Sequence, residues 1–462
     1  MNLEAGSFRD RSARVFYAGN HVLRSLTDES YSAWKKVVKT PFFQQRMRQQ
    51  QVVETSELTL EESRAFALPL DVVAVLKHAR IPFISYVYEW PFAMLRQAAL
   101  LHLDLLMEAV DSGFILKDAS PYNVQFVGSQ PVFIDTASFV PLRPGEPWLA
   151  YRQFCELMLF PLLLQAYRGV DFQTILRSQQ EGISATQFLQ WMRRSDLLRP
   201  GVFSHGWLHS LLEKNAQSTS TSTVRDLQSS GFDSGLIVRM LRKLKKLVAG
   251  LRWVPRQTQW TQYDQSLPHV ADDLRAKSEF VQSVCLRKHR QLVWDLGCND
   301  GRFSQIAAQS ATTVVAMDQD HACVENLYNS LEATQSTILP LCIDLSNPSP
   351  AQGWRGRERT RLEDRGRPEL VLCLGLIHHL VIAANVPLPE VIDWLASLGA
   401  ELILEFPSKQ DVMVQALLRN KRDQYTDYSV ASLETELQRR FRLQQQVKPP
   451  SGERTLYYAI PL

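Results

Sequence analysis

The chain has no strong excess of charge and no long apolar run. Its 51 basic and 48 acidic residues leave a net charge of +3, which gives no reason to expect nucleic acid, a partner that usually requires a clustered basic face. The most apolar stretch, Leu157 to Tyr167, is too short to span a bilayer and contains Pro161. We therefore expect neither nucleic-acid binding nor a membrane span.

Two further features are missing from the sequence. The opening residues are charged and contain no apolar core, which argues against a signal peptide. The six cysteines have neither metal-ligand nor paired spacing. A reducing, cytoplasmic location is the simplest interpretation of such cysteines.

A chain of 462 residues is too long for one hydrophobic core, so two domains are expected. Lys214 to Ser234 is rich in serine and threonine, which predicts a linker. Leu236 to Leu251 has the pattern of a basic amphipathic helix, which can meet an anionic surface but more commonly packs its apolar face in a core. The predicted parts are residues 1–213, a linker and helix over 214–256, and a second domain over 257–462.

The second domain is predicted around the sequence QLVWDLGCNDG, residues 291–301. Its apolar run predicts a strand buried on both faces, with Asp295 at the carboxyl end. Gly297 and Gly301 allow a tight turn that a ligand can approach closely. A dinucleotide-binding G-x-G-x-x-G would need glycines at positions 299 and 302, where the chain has Asn299 and Arg302. A nicotinamide cofactor is therefore not expected.

Four more apolar runs follow, and a closing hairpin ends the chain. The runs Thr313–Asp318, Ile338–Asp344, Glu369–Leu376 and Glu401–Phe406 predict strands separated by helices. Phe441–Val447 and Thr455–Ile460, joined by a segment with two prolines and a glycine, predict an antiparallel pair. The fold class expected for this domain is α/β.

These residues resemble motif I of class I S-adenosylmethionine-dependent methyltransferases, D/E-x-G-x-G-x-G, with Asn299 in place of the middle glycine. The resemblance implies a Rossmann-like sheet with strand order 3-2-1-4-5-7-6 and S-adenosyl-L-methionine as cofactor. It implies that Asp318 meets the ribose hydroxyls and Asp344 the adenine amino group. The cofactor-binding residues expected on this basis are Asp295, Gly297, Cys298, Asn299, Gly301, Asp318, Gln319, Asp344, Leu345 and Leu374. The region before the first strand caps the cofactor in the resembling enzymes, which makes Tyr263 and Lys277 candidates.

The first domain contains a second motif, LKDASPYNVQF followed by PVFID. It resembles the catalytic loop and metal-binding strand of protein kinases and aminoglycoside-type phosphotransferases. The resemblance implies a kinase-like α+β domain with Asp118 as base and with Asn123 and Asp135 on the magnesium of ATP. Arg24 takes the place of the phosphate-binding lysine, and no glycine-rich phosphate loop precedes it, so activity is doubtful. The alternative is an ordinary turn, since aspartate, serine and proline are good turn formers.

Motifs along the whole length, among them GSFRDRSARVF, DLGCNDGRFS, GLIHHL and ERTLYY, resemble a family of bacterial two-part proteins described as S-adenosylmethionine-dependent methyltransferases. The substrate remains open. The predicted activity is methyl transfer to a hydroxyl or carbon of a small-molecule or saccharide-like acceptor, with the kinase-like domain as scaffold or substrate holder. A bifunctional kinase and methyltransferase and a non-catalytic adaptor are the alternatives, and the oligomeric state is left open.

His378 and His379 follow the fourth strand and are the candidate catalytic residues. An imidazole can take the proton from a hydroxyl nucleophile, but both side chains can also cap a helix or pack against the sheet. The fourth strand lacks an N/D-P-P-Y-type ending, which weakens the case for methylating a base or an amide. The arginine-rich segment Gly353 to Arg367 can attract an anionic substrate or, as is more usual, be solvated.

Overall fold

A computed structural model describes residues 2–64, 66, 72–143, 145–207, 234–255, 270–334, 336–419 and 421–462. Most of the predicted linker and the candidate Tyr263 lie outside these residues. Contacts divide the chain into two compact units. The first comprises Met1–Phe126, Gln130–Val254 and Gln352–Arg359, and the second comprises Val127–Ser129, Pro255–Ala351 and Thr360–Leu462.

The first unit contains an antiparallel five-stranded sheet and two short strand pairs. The sheet has the order β1-β2-β3-β5-β4, with β1 Asn2–Leu3, β2 Ala13–Ala18, β3 His21–Leu26, β4 Thr55–Glu57 and β5 Ala74–His78. The pairs are β6 Phe114–Leu116 with β9 Phe139–Pro141, and β7 Val124–Val127 with β8 Gln130–Phe133.

The helices of this unit include one long helix, α4. They are α1 Asp28–Val37, α2 Pro41–Arg48, α3 Leu60–Arg64, α4 Phe92–Asp111, α5 Tyr151–Phe154, α6 Phe160–Arg168, α7 Phe172–Ser178, α8 Ala185–Trp191 and α9 Ser234–Gly250. The basic helix α9 buries Leu241 and Leu244 and packs on α4, and its Lys245 pairs with Asp104. Its apolar face is thus internal, which was the commoner of the two outcomes.

The second unit is built on a seven-stranded sheet of order β12-β11-β10-β13-β14-β16-β15. The strands are β10 Arg290–Leu296, β11 Ala311–Asp318, β12 Ile338–Cys342, β13 Leu370–Cys373, β14 Glu401–Pro407, β15 Phe441–Val447 and β16 Arg454–Pro461. Renumbered within the unit, this is 3-2-1-4-5-7-6, the order that the resemblance implied. The first five strands are parallel, and β16 is antiparallel to both of its neighbours.

The described part of this unit contains six α-helices. They are α10 Val270–Cys285, α11 Arg302–Ala308, α12 His321–Leu331, α13 Leu388–Ser397, α14 Val412–Leu418 and α15 Val430–Arg440. The chain leaves β10 toward β11 and β12 and then returns to β13 on the other side. This reversal opens a crevice at the carboxyl ends of β10 and β13, where open sheets bind ligands.

Within the described residues, no helix is both long and apolar enough to cross a membrane.

Candidate functional site

A cavity of about 910 Å³ lies in the second unit at the carboxyl ends of the parallel strands. Its wall includes the turn after β10, the ends of β11 and β13, the first turn of α14 and the start of β16. This volume is in the upper part of the range of about 300 to 1,000 Å³ for small-molecule sites. It is large enough for a nucleoside cofactor with a second molecule beside it.

Three residues of the turn after β10 have a left-handed backbone conformation. Gly297, Asn299 and Gly301 have φ values of 74°, 49° and 80°. The N–H groups of Gly297 and Cys298 both donate to the carbonyl of Met317, at 2.8 and 3.0 Å. Asparagine tolerates positive φ better than most residues, so the substitution of the middle glycine is compatible with the turn.

Asp318 joins this turn to the loop after β11 through its two carboxylate oxygens. Its Oδ2 accepts from the N–H of Asn299 at 2.9 Å, and its Oδ1 accepts from the N–H of Asp320 at 2.8 Å. The carboxylate also lines the cavity. Since each carboxylate oxygen has two lone pairs, acceptor capacity remains for ligand hydroxyls.

The structure brings the predicted cofactor residues to one cavity wall, with two exceptions. Those that line the cavity are Gly297, Cys298, Asn299, Asp318, Gln319, Asp344, Leu345 and Leu374. Asp344 holds its own turn, because its Oδ1 accepts from the N–H and hydroxyl of Ser346 at 2.8 and 2.6 Å. The exceptions are Asp295 and Gly301.

Asp295 is buried beneath the cavity surface. Its side chain is 1 % exposed, and its Oδ2 accepts from the hydroxyl of Ser304 on α11 at 2.6 Å. Burial raises the pKa of this carboxyl to about 6, although the Ser304 hydrogen bond opposes the shift. The residue therefore ties β10 to α11, and it is not part of the cavity surface.

The glycine at position 301 is required because the turn packs closely against a helix, and not because a ligand approaches it. A Cβ at this position would lie 2.4 Å from Cδ1 of Leu327 on α12. The corresponding atom at Gly297 would meet Leu376 at 3.5 Å, an ordinary contact. Gly301 thus lets the turn approach α12, while Gly297 forms the cavity surface.

The two candidate histidines occupy different environments. His379 lines the cavity, whereas His378 is 1 % exposed and its ring nitrogens have no hydrogen-bond partner among the described residues. Burial, followed by the charge of Arg454, lowers the pKa of His379 to about 4. The imidazole of His379 is thus neutral at neutral pH, although the lowered pKa also makes it a weaker base. His379 is the better placed of the pair because it lines the cavity.

Two buried acids and two half-buried cations form a row of ion pairs in another part of the wall. Lys277 Nζ lies 2.6 Å from Glu405 Oε2, and Arg454 bridges Glu405 Oε1 at 3.2 Å and Asp411 Oδ2 at 2.8 Å. Burial alone would raise the pKa of Glu405, but Lys277 and Arg454 lower it to about 2. Lys277 was a candidate from the sequence; Glu405 was not singled out, although it is an acid near the end of an apolar run, as Asp295 is.

Comparison with known proteins identifies the family. Over 455 residues the chain is 32% identical to nodulation protein NoeA of Rhizobium meliloti (strain 1021), covering 98% of this chain and 95% of NoeA. The chain belongs to the NoeA family. No protein-family model matches the chain.

Two solved structures that are similar to this NoeA-family chain each cover less than half of it. The N-methyltransferase NodS from Bradyrhizobium japonicum WM9 is 14% identical, covers 41% of this chain and 97% of NodS, and has a TM-score of 0.31. Magnesium protoporphyrin IX methyltransferase from Synechocystis PCC 6803, with bound S-adenosylmethionine, is 17% identical, covers 45% of this chain and 87% of that chain, and has a TM-score of 0.30. Because these sequence identities and TM-scores are low, the two structures support no inference about what the NoeA-family chain binds.

The first unit of this NoeA-family chain places the kinase-motif residues beside an arginine. Arg24 Nη1 lies 2.6 Å from Asp135 Oδ1, and its Nη2 donates to the carbonyl of Ile134 at 3.3 Å. Asn123 is joined to this segment because its carbonyl accepts from the N–H of Ile134 at 2.8 Å. Burial and then the charge of Asp135 raise the pKa of Asp118. A magnesium ion at Asp135 would compete with the Arg24 guanidinium for the same carboxylate.

Part of the arginine-rich segment is packed within the first unit and is not simply solvated. Arg9 Nη2 lies 2.7 Å from Glu358 Oε1, and the N–H of Trp354 donates to the same oxygen at 2.9 Å. The Arg359 guanidinium lies 3.8 Å from the ring centroid of Tyr122, next to Asn123. Residues 352–359 therefore form part of the first unit's own packing.

Glu358→Gln is expected to lower the free energy of unfolding by about 1 to 3 kcal/mol, because it weakens three hydrogen bonds to a buried carboxylate, two from Arg9 and one from the N–H of Trp354. Thermal or denaturant unfolding of the full chain measures this loss. Asp364→Asn is the matched control, since Asp364 pairs with Arg361 at 2.7 Å in an exposed position, where the change should stay within about 0.5 kcal/mol. Equal effects of the two substitutions would contradict the packed role of Glu358.

Proposed function

We propose that the second unit binds S-adenosyl-L-methionine in the cavity and transfers its methyl group to a hydroxyl or carbon of a small-molecule or saccharide-like acceptor. The observation that carries this proposal is the charge of the wall. Seven carboxyl groups and three cationic side chains are among the described residues that line the cavity. Such a wall favours a cationic ligand and disfavours the pyrophosphate of a dinucleotide or the phosphates of ATP.

The acids in question come from several segments of the second unit. They are Asp273, Asp300, Asp318, Asp344, Glu405, Asp411 and Glu453, and the cations are Lys277, Arg302 and Arg454. A sulfonium nucleoside combines a positive centre with ribose hydroxyls and an adenine amino group, which are donors suited to carboxylates. Asp318 and Asp344 are proposed to accept from the ribose and the adenine amino group, respectively.

The sulfonium supplies an activated methyl group, so the protein has mainly to orient the acceptor and exclude water. The acceptor oxygen forms a bond to the methyl carbon as the bond from carbon to sulfur breaks, and the sulfur becomes a neutral thioether. The hydroxyl proton passes to the neutral imidazole of His379, which lines the cavity. The first unit is proposed to act as a scaffold or substrate holder. Because the relative is named for nodulation, the same process is proposed for this chain.

Incubation of the full chain with methyl-labelled S-adenosylmethionine and fractionated cell extract tests the proposal. A labelled small molecule is expected, and His379→Gln should lower its rate of formation by about a hundredfold or more while cofactor binding is retained. A cofactor that binds without any labelled product would contradict methyl transfer and favour a ligand-binding adaptor. Unchanged transfer in His379→Gln would remove His379 as the base.

A further inference from the structure

His379 is carried by an unusual turn of the backbone. His379–Ala383 is a π-helical turn, and the N–H of Ala384 donates to the carbonyl of His379 at 2.9 Å. His379, Leu380 and Ala383 all line the cavity. Single π turns are rare and occur frequently at functional sites, so the feature that maintains this turn also determines the shape of the cavity wall.

The end of the turn is held by two side chains from a later segment. Tyr425 Oη donates to the carbonyl of Ile382 at 3.0 Å and is also hydrogen-bonded to the side chain of Asn385. Lys421 Nζ donates to the carbonyls of Ile382 and Ala383, the latter at 3.2 Å. Asn385 ends the turn with a left-handed φ of 58°.

These contacts satisfy the groups that a helical turn leaves open. The last carbonyls of a helix have no partner within it and carry partial negative charge. An ammonium and a buried phenol hydroxyl are therefore well suited to this end of the turn. Without them, the turn is free to relax toward an α-helical or open form, and the imidazole at its start would change its direction.

We propose that Lys421 and Tyr425 are positioning residues that hold His379 in the cavity toward the methyl acceptor. This inference rests on the proposed methyl transfer. The same later part of the chain also supplies wall residues, since Val412 and Met413 of α14 line the cavity. The π turn and α14 thus both contribute residues to the cavity wall.

A pair of tyrosine substitutions separates positioning from general support of the fold. Tyr428 is buried like Tyr425, and its Oη donates to the carbonyl of Pro407 at 2.8 Å, away from the turn. Tyr425→Phe and Tyr428→Phe therefore each delete one buried hydroxyl donor to a backbone carbonyl. The measured quantity is the rate at which diethyl pyrocarbonate modifies His379 in the full chain, read by mass spectrometry.

Tyr425→Phe is expected to raise this rate about fivefold, as the loss of one hydrogen bond shifts a local opening equilibrium, and Tyr428→Phe should leave it unchanged. Lys421→Met should act like Tyr425→Phe, and Lys421→Arg should restore the wild-type rate. In the methyl-transfer assay, Tyr425→Phe should lower transfer about tenfold with unaltered cofactor affinity.

Equal modification rates in the two tyrosine variants would overturn the positioning role, whatever their thermal stability. If the wild-type chain transfers no methyl group to any extract fraction, the proposed function fails. The modification rates still decide in that case whether Lys421 and Tyr425 orient His379.

Discussion

Glu405→Gln is expected to lower the free energy of unfolding of the second unit by about 3 to 5 kcal/mol, the usual cost of breaking a buried ion pair from one side. The carboxylate is 1 % exposed, and Lys277 Nζ lies 2.6 Å from it. Glutamine keeps the shape but leaves the half-buried ammonium of Lys277 without its countercharge. Denaturant unfolding of the full chain at neutral pH measures the loss.

The double variant Lys277→Met/Glu405→Gln is the control for this interpretation. Its loss of unfolding free energy should be smaller than the sum of the losses in the two single variants, because the unpaired charge is removed together with its partner. Additive losses would contradict a direct coupling between Lys277 and Glu405.

The loss of stability caused by Glu405→Gln is expected to depend on pH. The folded pKa of Glu405 is about 2, below the ordinary value of about 4.3 for glutamate in an unfolded chain. The stability that it contributes is thus fully present above the unfolded pKa and is lost as the pH falls through the folded one. The difference between wild type and Glu405→Gln should shrink as the pH is lowered over this window.

Asp318→Asn is expected to weaken binding of S-adenosylmethionine by about 1.5 to 3 kcal/mol, or roughly ten- to a hundredfold. The substitution removes the charge that would accept from the ribose. It also removes the acceptor for the N–H of Asn299 in the turn after β10, since an amide nitrogen cannot accept a hydrogen bond. Isothermal calorimetry of the folded variant measures the change in affinity.

Asp320→Asn is the charge-matched control for Asp318→Asn. Asp320 is the N-cap of α12 and accepts from the N–H groups of Ala322 and Cys323 at 2.8 and 3.1 Å, and asparagine caps a helix about as well. It is not among the residues that line the cavity. If both variants lost the same affinity for S-adenosylmethionine, the loss would come from the overall electrostatic field of the acidic residues and not from a direct contact with Asp318.

The sequence was sufficient to predict the strands of the second unit and eight of the residues that line its cavity. Each parallel strand is an apolar run, and the carboxyl ends of such strands meet at one edge of the sheet. The apolar runs therefore placed Asp318 and Asp344 at strand ends, and the resemblance to methyltransferases assigned both residues to one cofactor site. The turn could be placed as well, because positive φ strongly favours glycine and asparagine.

The roles of Asp295 and Gly301 could not be predicted, because they depend on tertiary contacts. A motif gives the position of a residue but not the direction of its side chain. Asp295 is directed to Ser304 and Gly301 faces Leu327, and neither partner is marked by any sequence pattern. The Glu405 ion pairs were missed for the same reason, since they join three distant segments of the chain.

The packed part of the arginine-rich segment shows another limit. Charge composition favoured a solvated loop, yet Glu358 is 8 % exposed and paired with Arg9. The two residues are 349 positions apart. Composition cannot predict a partner at that separation.

The central claim is that the turn after β10 and the acids Asp318 and Asp344 bind a sulfonium nucleoside. A crystal structure of the full chain grown with S-adenosylhomocysteine, which lacks the transferable methyl group, tests it most directly. The account predicts the adenosine between Asp318 and Asp344, with the sulfur near Gly297 and facing His379. A nucleoside bound at any other place, or both carboxylates facing solvent in the complex, would contradict it.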